Sequence, residues 1–224
     1  MDGITSWFEF LNERWDLVFN ALGETLVYVV TVTLAAGLLA VVVGVATRHH
    51  AFGKELSLAI ASVFLTIPSL ALFTIFIPLV GLGFVPSFIA LFLYAILPIL
   101  RNTTAGLDAV DSSVLESARG MGLTPRQTLM QVQLPLAWPV MLAGIRVSAL
   151  LTVGISAIAT LVAGGGLGDF IKSGLARLPL PNSLEAIWTG VILSVLLALA
   201  IDGALLVLGR VTTPSGIRGK AKAA

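Results

Sequence analysis

The chain contains a run of 45 residues, Leu56 to Leu100, without a single charged side chain. Charged residues make up 11% of the whole sequence and hydrophobic residues 57%, whereas ordinary globular domains carry about 25% charged residues. A soluble domain of 224 residues could not bury so much apolar surface, so the lipid bilayer must replace water around most of it. The sequence therefore predicts an all-α, polytopic membrane protein.

Five segments are long and apolar enough to cross a bilayer, because a helix needs about 20 residues to span roughly 30 Å of hydrocarbon. The uncharged run is too long for one crossing, and it breaks at Val80–Pro86, where two glycines and a proline favour a turn. The predicted spans lie near residues 25–47, 56–79, 86–104, 136–163 and 186–208.

The basic residues predict the orientation of the chain, because cytoplasmic loops of membrane proteins carry the excess of lysine and arginine. With the N-terminus outside and the C-terminus in the cytoplasm, nine basic residues face the cytoplasm and three face outward. We therefore expect an amphipathic outer segment over residues 1–21, a transmembrane unit over 22–213 and a basic cytoplasmic tail over 214–224. The basic residues expected outside are Arg14, Lys172 and Arg177.

A polar island, Arg101 to Gln133, interrupts the apolar sequence with six charged residues and is expected on the cytoplasmic side. A short helix is predicted within 107–122, since Asp111 can cap its start and Gly122 its end. Thr124 can cap a second helix after it. From these residues alone, a docking element for a water-soluble partner and a solvated loop are equally good interpretations.

The composition argues against catalysis, metal binding and nucleic-acid binding. The chain has no cysteine, and its two histidines, His49 and His50, have too few ligands near them for a metal site. Catalysis within a membrane needs a serine–histidine pair, paired aspartates or a metal cluster, and the predicted spans hold only one aspartate. A net charge of +1 gives no reason to expect nucleic acid. A non-catalytic transport protein is therefore expected. An intramembrane enzyme and a passive channel are the alternatives, and a channel would leave a docking role of the polar island unused.

Two ionisable residues lie deep within the predicted spans, Arg146 in the fourth and Asp202 in the fifth. Each is eight residues, about 12 Å, from the cytoplasmic end of its span, and charges at such a depth are usually paired or face water. We hypothesise an ion pair between the two spans, with separate exposure to the interface or a wet cavity as the alternative.

Pro68 and Pro98 can bend their helices beside a transport pathway, although proline is common in membrane helices.

The polar island also contains a distinctive spacing of residues. Glu116-Ser117-Ala118 is followed, after three residues, by Gly122, and after nine more by Val132-x-Leu134-Pro135. This pattern resembles the signature loop of bacterial ABC importer permeases, with serine for alanine at 117 and valine for isoleucine at 132. The resemblance implies a type I importer core and a coupling loop over 105–134, whose short helix inserts into a groove of a cytoplasmic ATPase. The residues implied in this contact are Glu116, Ser117, Ala118, Arg119, Gly120, Gly122, Leu134 and Pro135.

Other segments resemble the osmoprotectant branch of that family, and the likeness covers roughly residues 22–215. It implies uptake of glycine betaine, carnitine, choline or related solutes across a bacterial plasma membrane, with a methionine or amino-acid importer as the alternative. The implied partners are two ATPase subunits that bind ATP-Mg, a second permease chain (identical or paralogous), a separate substrate-binding protein and membrane lipid. No cofactor is expected on this chain itself. The segments that carry the likeness are Thr66–Leu72, Leu91–Thr103, Ala143–Arg146 and Gly164–Gly168.

The outer loop after the fourth span is where such a substrate-binding protein would dock. Asp169, Lys172 and Arg177 are the candidate contacts, and a solvated loop is the alternative. The glycine run at 164–168 is not followed by the lysine and serine or threonine of a phosphate-binding loop. A tight turn is therefore expected there.

Overall fold

The computed structural model describes residues 2–213, in which the chain forms helices joined by short turns and no strand. The all-α prediction is confirmed, while the predicted basic tail at 214–224 lies outside the described residues. The α-helices in chain order are α1 Asp2–Glu13, α2 Trp15–Thr47, α3 Ala51–Thr66, α4 Ser69–Ile75, α5 Ile77–Val80, α6 Phe84–Asp108, α7 Ser112–Gly120, α8 Pro125–Thr128, α9 Leu134–Ala159, α10 Gly168–Arg177 and α11 Ser183–Thr212.

Four continuous helical stretches of the described chain are long and apolar enough to cross a membrane. A fifth candidate is the pair formed by α3 with α4 and α5, which is bent by 98°. The count agrees with the five predicted spans when this bent pair is taken as one span. The four continuous stretches are Trp15–Thr47, Phe84–Asp108, Pro125–Val162 and Ser183–Thr212.

Helix α2 is longer than the first predicted span, because it begins at Trp15 rather than near residue 25. Nothing between these positions ends a helix: the segment contains no proline, and Gly23 costs only about 1 kcal/mol relative to alanine inside a helix. Residues 1–21 are predicted to form an outer segment. Residues 15–21 of that segment are instead the first turns of α2. The first half forms α1, which packs on α11 through a hydrogen bond from Trp7 Nε1 to Thr189 Oγ1 of 2.9 Å.

The second predicted span consists of α3 and, after a break at Ile67 and Pro68, of α4 and α5, and the change of direction at the break is larger than a kink. Pro68 donates no backbone hydrogen bond and disfavours a helical conformation in the residue before it, and Ile67 is extended, with φ −75° and ψ 130°. The carbonyl freed by this break is satisfied from another helix, since the Tyr94 hydroxyl donates to the Ile67 oxygen at 2.6 Å. The bend is thus held in place by α6.

The centre of the bundle is the antiparallel contact between α6 and α9, which is the most extensive contact between helices of the described chain. Small residues let the two backbones approach: a Cβ added at Gly144 would lie 2.7 Å from the Pro98 carbonyl oxygen. The Ser148 hydroxyl donates to the Ala95 oxygen at 3.1 Å across the same contact. In lipid, close packing and hydrogen bonds of this kind join helices, because apolar side chains gain nothing by leaving the acyl chains.

Helix α11 lies on the outside of the bundle, and none of its most apolar stretch is buried within the chain. It packs mainly on α10 and α9. We call the two ends of the bundle the α7 end, where α2 finishes beside α7, and the α10 end, where α2 begins beside α10.

Candidate functional site

The middle of the polar island folds as a short helix, α7, at the end of the bundle, and its first residues belong to the last turns of α6. Asp111 caps its start, because the carboxylate accepts a hydrogen bond of 2.9 Å from the Ser113 backbone N–H. Such a cap satisfies one of the four backbone donors that the first turn of a helix leaves free. Helix and cap lie where the sequence predicts them.

The end of α7 explains why glycine stands at position 122. Gly122 has φ +87°, a left-handed conformation that costs other residues roughly 1–2 kcal/mol. Its N–H donates to the Arg119 oxygen at 2.9 Å, and the Leu123 N–H donates to the Ala118 oxygen at 3.2 Å. These two bonds form a Schellman motif, which satisfies the last carbonyls of the helix and turns the chain sharply.

The residues of the signature fall on two sides of α7. Ala118 is 1% exposed and packs toward the bundle, whereas the other signature residues of the helix point to solvent. A Cβ added at Gly120 would meet no atom within 4 Å, so the surface around it is open. The helix therefore presents a free face with one acid, one base and small residues between them. The exposed residues are Glu116, Ser117, Arg119 and Gly120.

The connection from α7 to α9 passes through α8 and one turn of π-helix, Leu129–Gln133. Thr124 and Gln127 form a capping box at the start of α8, which confirms the predicted cap. Pro135 lacks an N–H, and its ring would clash with the carbonyl four residues earlier in an α-helix. The wider π turn relieves this clash just before the proline. Leu134 and Pro135 are half-buried at the start of α9 and do not share the exposed face of α7.

The side chain of Gln133 joins this connection to the bundle, since its Nε2 donates to the Leu107 oxygen at 3.2 Å. Leu107 lies in the last turn of α6, whose final carbonyls have no partner within the helix. Sequence reasoning missed this contact. The only signal for it is a glutamine two residues before a proline.

A basic depression lies between α7 and the end of α2. Arg48 and His49 line it together with Arg119. Burial lowers the pKa of His49, and the positive charges of Arg48 and Arg119 lower it further. His49 is therefore neutral at pH 7, which leaves the two arginines as the charged groups of this depression. Among the side chains that the structure describes, those of residues 5–213, no group of three or more histidine, cysteine or acidic residues could hold a metal ion.

Arg146 and Asp202 are brought together between α9 and α11. The Arg146 Nε lies 2.8 Å from one oxygen of the Asp202 carboxylate, and a terminal guanidinium nitrogen lies 2.9 Å from the other. Both side chains are partly accessible, at 32% and 22%. A bidentate arrangement of this kind fixes the relative orientation of the two helices as well as their distance.

The two prolines proposed to bend the spans occupy different settings. Pro68 is exposed at the break between α3 and α4. Pro98 is half-buried within α6, which continues through it without interruption. The Pro98 carbonyl accepts a hydrogen bond of 2.8 Å from Asn102 Nδ2 and faces Gly144.

At the α10 end, the glycine run forms a turn that is bonded to α2. The Tyr28 hydroxyl donates to the Gly164 oxygen at 2.6 Å, and the Gly166 N–H donates to Glu24 Oε2, also at 2.6 Å. The Leu167 N–H donates to Thr25 Oγ1 at 2.9 Å. Backbone donors that could otherwise hold an anion are thus used within the protein. Sequence reasoning did not single out Glu24, although it is the only charged residue between Asp16 and Arg48.

The three residues proposed for receptor docking all lie on α10, but they do not share one surface. Asp169 accepts a hydrogen bond from the Thr160 hydroxyl, and Arg177 lies in the last turn of the helix. Both line a cleft of about 420 Å³ between α2 and α10. Lys172 does not line this cleft. Its Nζ donates to the backbone oxygen of the same Thr160 at 3.0 Å, but the residue lines a separate apolar depression.

Two transport system permease proteins of one bacterium are similar to this chain over most of its length. The choline transport system permease protein OpuBB of Bacillus subtilis (strain 168) is 42% identical over 193 residues, which cover 84% of this chain and 87% of that protein. The glycine betaine/carnitine/choline transport system permease protein OpuCB of the same organism is 40% identical over 211 residues, covering 94% and 95%.

A solved structure shares the fold. A chain of the MetNI methionine ABC transporter, in an inward facing conformation, matches with a TM-score of 0.76 and 26% identity over 90% of this chain and 99% of that chain. Residues 21–212 match the family described as binding-protein-dependent transport system inner membrane component. The chain belongs to this family, and is thus a multi-pass, non-catalytic permease subunit of an ABC importer.

Proposed function

We propose that this permease serves an ATP-driven importer of osmoprotectants such as glycine betaine, carnitine and choline. Relatives at 42% and 40% identity carry these solutes in their names. The structural neighbour named for methionine is only 26% identical. The residues that carry the relationship extend over nearly the whole membrane unit, so the substrate is inferred from the entire chain rather than from one site.

The observation that carries the coupling mechanism is the exposed face of α7. This face holds Glu116, Ser117, Arg119 and Gly120 on a capped helix at the very end of the bundle. Each of two permease chains, identical or paralogous, offers its α7 to one ATPase subunit, where ATP-Mg is bound. Closure of the ATPases moves the two α7 helices together, and this movement opens the pathway toward a substrate-binding protein on the other side.

The charge distribution supports an orientation in which the α7 end is cytoplasmic and the N-terminus lies outside. Among the described residues, six basic side chains belong to the α7 end and three to the α10 end. Such a bias follows the positive-inside rule. The basic residues of the α7 end are Arg48, Lys54, Arg101, Arg119, Arg126 and Arg210.

Reconstitution tests the function directly. The permease, its ATPase and its substrate-binding protein are placed in liposomes, and uptake of radiolabelled glycine betaine, carnitine, choline and methionine is measured with and without ATP. ATP-dependent uptake of at least one quaternary ammonium solute, but not of methionine, is expected. Accumulation of methionine alone would reject the proposed substrate.

The same preparation tests the role of α7. Glu116→Lys combined with Gly122→Leu removes the acid and forces the turn out of its left-handed conformation, so uptake should fall to about a tenth or less, which corresponds to at least 1.4 kcal/mol. Glu55→Lys, an exposed charge change on α3, is the matched control and should leave uptake unchanged. Normal uptake by the double variant would exclude coupling through α7.

We also propose that the ion pair of Arg146 and Asp202 holds α11 on α9 within the membrane. Arg146→Asp places two carboxylates in contact and should greatly lower the amount of assembled complex in membranes, since polar contacts between membrane helices contribute roughly 0.6–1.7 kcal/mol and unpaired charges cost more. Arg146→Asp with Asp202→Arg should restore it. Assembly of the double variant no better than that of either single change would reject the pairing.

We propose that the bend at Pro68 and the region around Pro98 line the solute pathway. The chain has no cysteine, so a single cysteine at Ser69 gives an unambiguous label at the bend. Membrane-impermeant maleimide should label Ser69→Cys in the ATP-bound complex, and much less in the nucleotide-free complex. Equal labelling in both states would place this position outside the pathway.

A further inference from the structure

The cleft between α2 and α10, here called the α10 cleft, carries four charged side chains arranged in pairs. One wall bears Arg14, which directly precedes α2, and Glu24 within α2. The other wall bears Asp169 and Arg177, near the two ends of α10. Each wall therefore contributes one base and one acid.

Both acids lie beside the glycine turn that closes the cleft, Glu24 through its carboxylate and Asp169 through its backbone N–H, while the Asp169 carboxylate accepts from the Thr160 hydroxyl. Glu24 Oε2 accepts from the Gly166 N–H at 2.6 Å, and the Asp169 N–H donates to the Gly166 oxygen at 3.0 Å. The bases lie farther along the two helices. Arg14 is ten residues before Glu24, and Arg177 is eight residues after Asp169, which correspond to about 15 Å and about 12 Å of helix. The cleft is thus acidic at the glycine turn and basic away from it.

None of these four charges is neutralised within the described chain. Among the side chains of residues 5–213, the ion pairs are Lys54 with Asp108 and Arg146 with Asp202. The guanidinium of Arg14 lies over the Phe10 ring, 4.6 Å from its centre, which orients it without neutralising its charge. Charged groups that are not paired with an opposite charge within the protein are available to a partner.

With Thr47, which directly precedes Arg48, at one boundary of the hydrocarbon, the α10 cleft lies beyond the other boundary. Glu24 is 23 residues from Thr47, the last residue of α2, which corresponds to about 35 Å of helix. The hydrocarbon core is about 30 Å thick. In the orientation proposed above, all four charges therefore face the aqueous phase outside the cell, where the substrate-binding protein is found.

We propose that the α10 cleft is the surface on which the substrate-binding protein docks, an inference that rests on the proposed function. The partner presents a protruding segment of opposite polarity, with a basic side chain against Glu24 and Asp169 and acidic side chains against Arg14 and Arg177. Docking then contacts both walls of the cleft. Because Glu24 is bonded to Gly166, the same contact bears on the turn that joins the end of α9 to α10.

The dimensions favour a protein segment over a free solute molecule. In a betaine or in carnitine, the cationic and anionic groups are separated by only a few bonds. The backbone positions of the bases lie about 12–15 Å along their helices from those of the acids, which is more than the separation of the charges within such a zwitterion. A loop of a protein spans both sets.

A titration of the substrate-binding protein against the reconstituted complex tests the proposal. The concentration that gives half-maximal stimulation of the ATPase should rise about tenfold or more in Arg14→Glu with Arg177→Glu, because charge pairs across an interface set both encounter rate and affinity. The rate at saturating binding protein should change much less. Arg14→Lys with Arg177→Lys keeps the charges and should stay close to wild type, as should Glu9→Lys, an exposed change on α1 outside the cleft.

Two results would overturn the proposal. One is an unchanged half-maximal concentration in the charge-reversed variant. The other is binding of glycine betaine or carnitine to the complex without its binding protein, measured by equilibrium dialysis and abolished by Glu24→Gln, which would make the cleft a solute site. If the wild-type complex responds to the binding protein but transports none of the osmoprotectants, the proposed substrate fails while the titration still supports docking.

Discussion

The two ends of the bundle each contain a glycine turn, and the two turns use glycine for different reasons. Gly122 at the α7 end and Gly165 and Gly166 at the α10 end all have positive φ, between +77° and +90°. A Cβ at Gly122 would meet nothing within 4 Å, whereas a Cβ at Gly165 would collide with the Glu24 carboxylate. The α10-end turn is therefore filled by the protein's own atoms. The α7-end turn is open, as expected of a surface that another protein covers.

The largest effect is expected at Gly164, where packing alone forbids a side chain. Gly164 has no positive φ, but an added Cβ would lie 2.5 Å from Ser87 Oγ and 2.7 Å from the Ala159 oxygen. Gly164→Ala should therefore destabilise the permease by roughly 1–3 kcal/mol, as overpacking does elsewhere. Thermal unfolding of the purified complex in detergent measures the loss.

Gly154→Ala is the matched control, because a Cβ there meets no atom within 4 Å and the residue lies inside α9. Replacing a helical glycine by alanine is neutral or stabilising by roughly 0.5–1 kcal/mol. Equal losses for the two variants would mean that the α10-end turn is no more closely packed than the exposed face of a helix.

An intermediate effect is expected at Gly122, where only the backbone conformation requires glycine. Gly122→Ala should cost roughly 1–2 kcal/mol, confined to α7 and its turn. Asparagine tolerates the left-handed conformation better than alanine does, so Gly122→Asn should recover most of the loss. Hydrogen exchange of the α7 amides measures the local stability.

Transport by the same two variants then shows whether the open space at Gly122 is used. Uptake that recovers in Gly122→Asn together with α7 stability means that the turn conformation alone matters. Uptake that stays low while stability recovers means that the ATPase contacts the backbone at this glycine. In either case, a stability of Gly122→Asn below that of Gly122→Ala would contradict the conformational argument.

The smallest effect is expected at Tyr28, which contributes one hydrogen bond to the α10-end turn. Tyr28→Phe removes the donor to the Gly164 oxygen and should cost about 0.6 kcal/mol, a typical value for a hydrogen bond between membrane helices. Thr31→Val is the control, because that hydroxyl bonds only to the backbone of its own helix. If both variants unfold at the same temperature, the bond to Gly164 does not stabilise the turn.

Sequence rules for helix caps, which involve only neighbouring residues, predicted the helix boundaries at the α7 end. The N-cap at Asp111, the cap at Thr124 and the end of the helix at Gly122 are decided by residues within a few positions of each other. The number of spans also followed from the sequence, because hydropathy and length decide it. Depth along the helices suggested that Arg146 and Asp202 could meet, since residues at equal depth in neighbouring antiparallel spans lie at the same level.

Contacts between distant segments could not be predicted in this way. The Ile67 carbonyl that is freed at the bend accepts a hydrogen bond from Tyr94, which lies 27 residues after Ile67 in the sequence. The Lys172 side chain is oriented by the Thr160 carbonyl, which accepts a hydrogen bond from its ammonium group. The role of Glu24 appears only when the glycine turn is folded back onto α2. Each of these features is decided by which helices are neighbours, and hydropathy does not contain that information.

The π turn at Leu129–Gln133 has a consequence for how the length of this chain can change during evolution. A π turn holds one residue more than an α turn, so loss of one residue from it would leave a regular α-helix. Because the extra residue is accommodated within about one turn, that loss would change the direction of α7 relative to α9 only slightly. It would instead remove the wider turn that relieves the clash of the Pro135 ring with the carbonyl four residues earlier. The segment should therefore tolerate substitutions at the exposed Met130 and Gln131, and should lose a residue only together with replacement of Pro135.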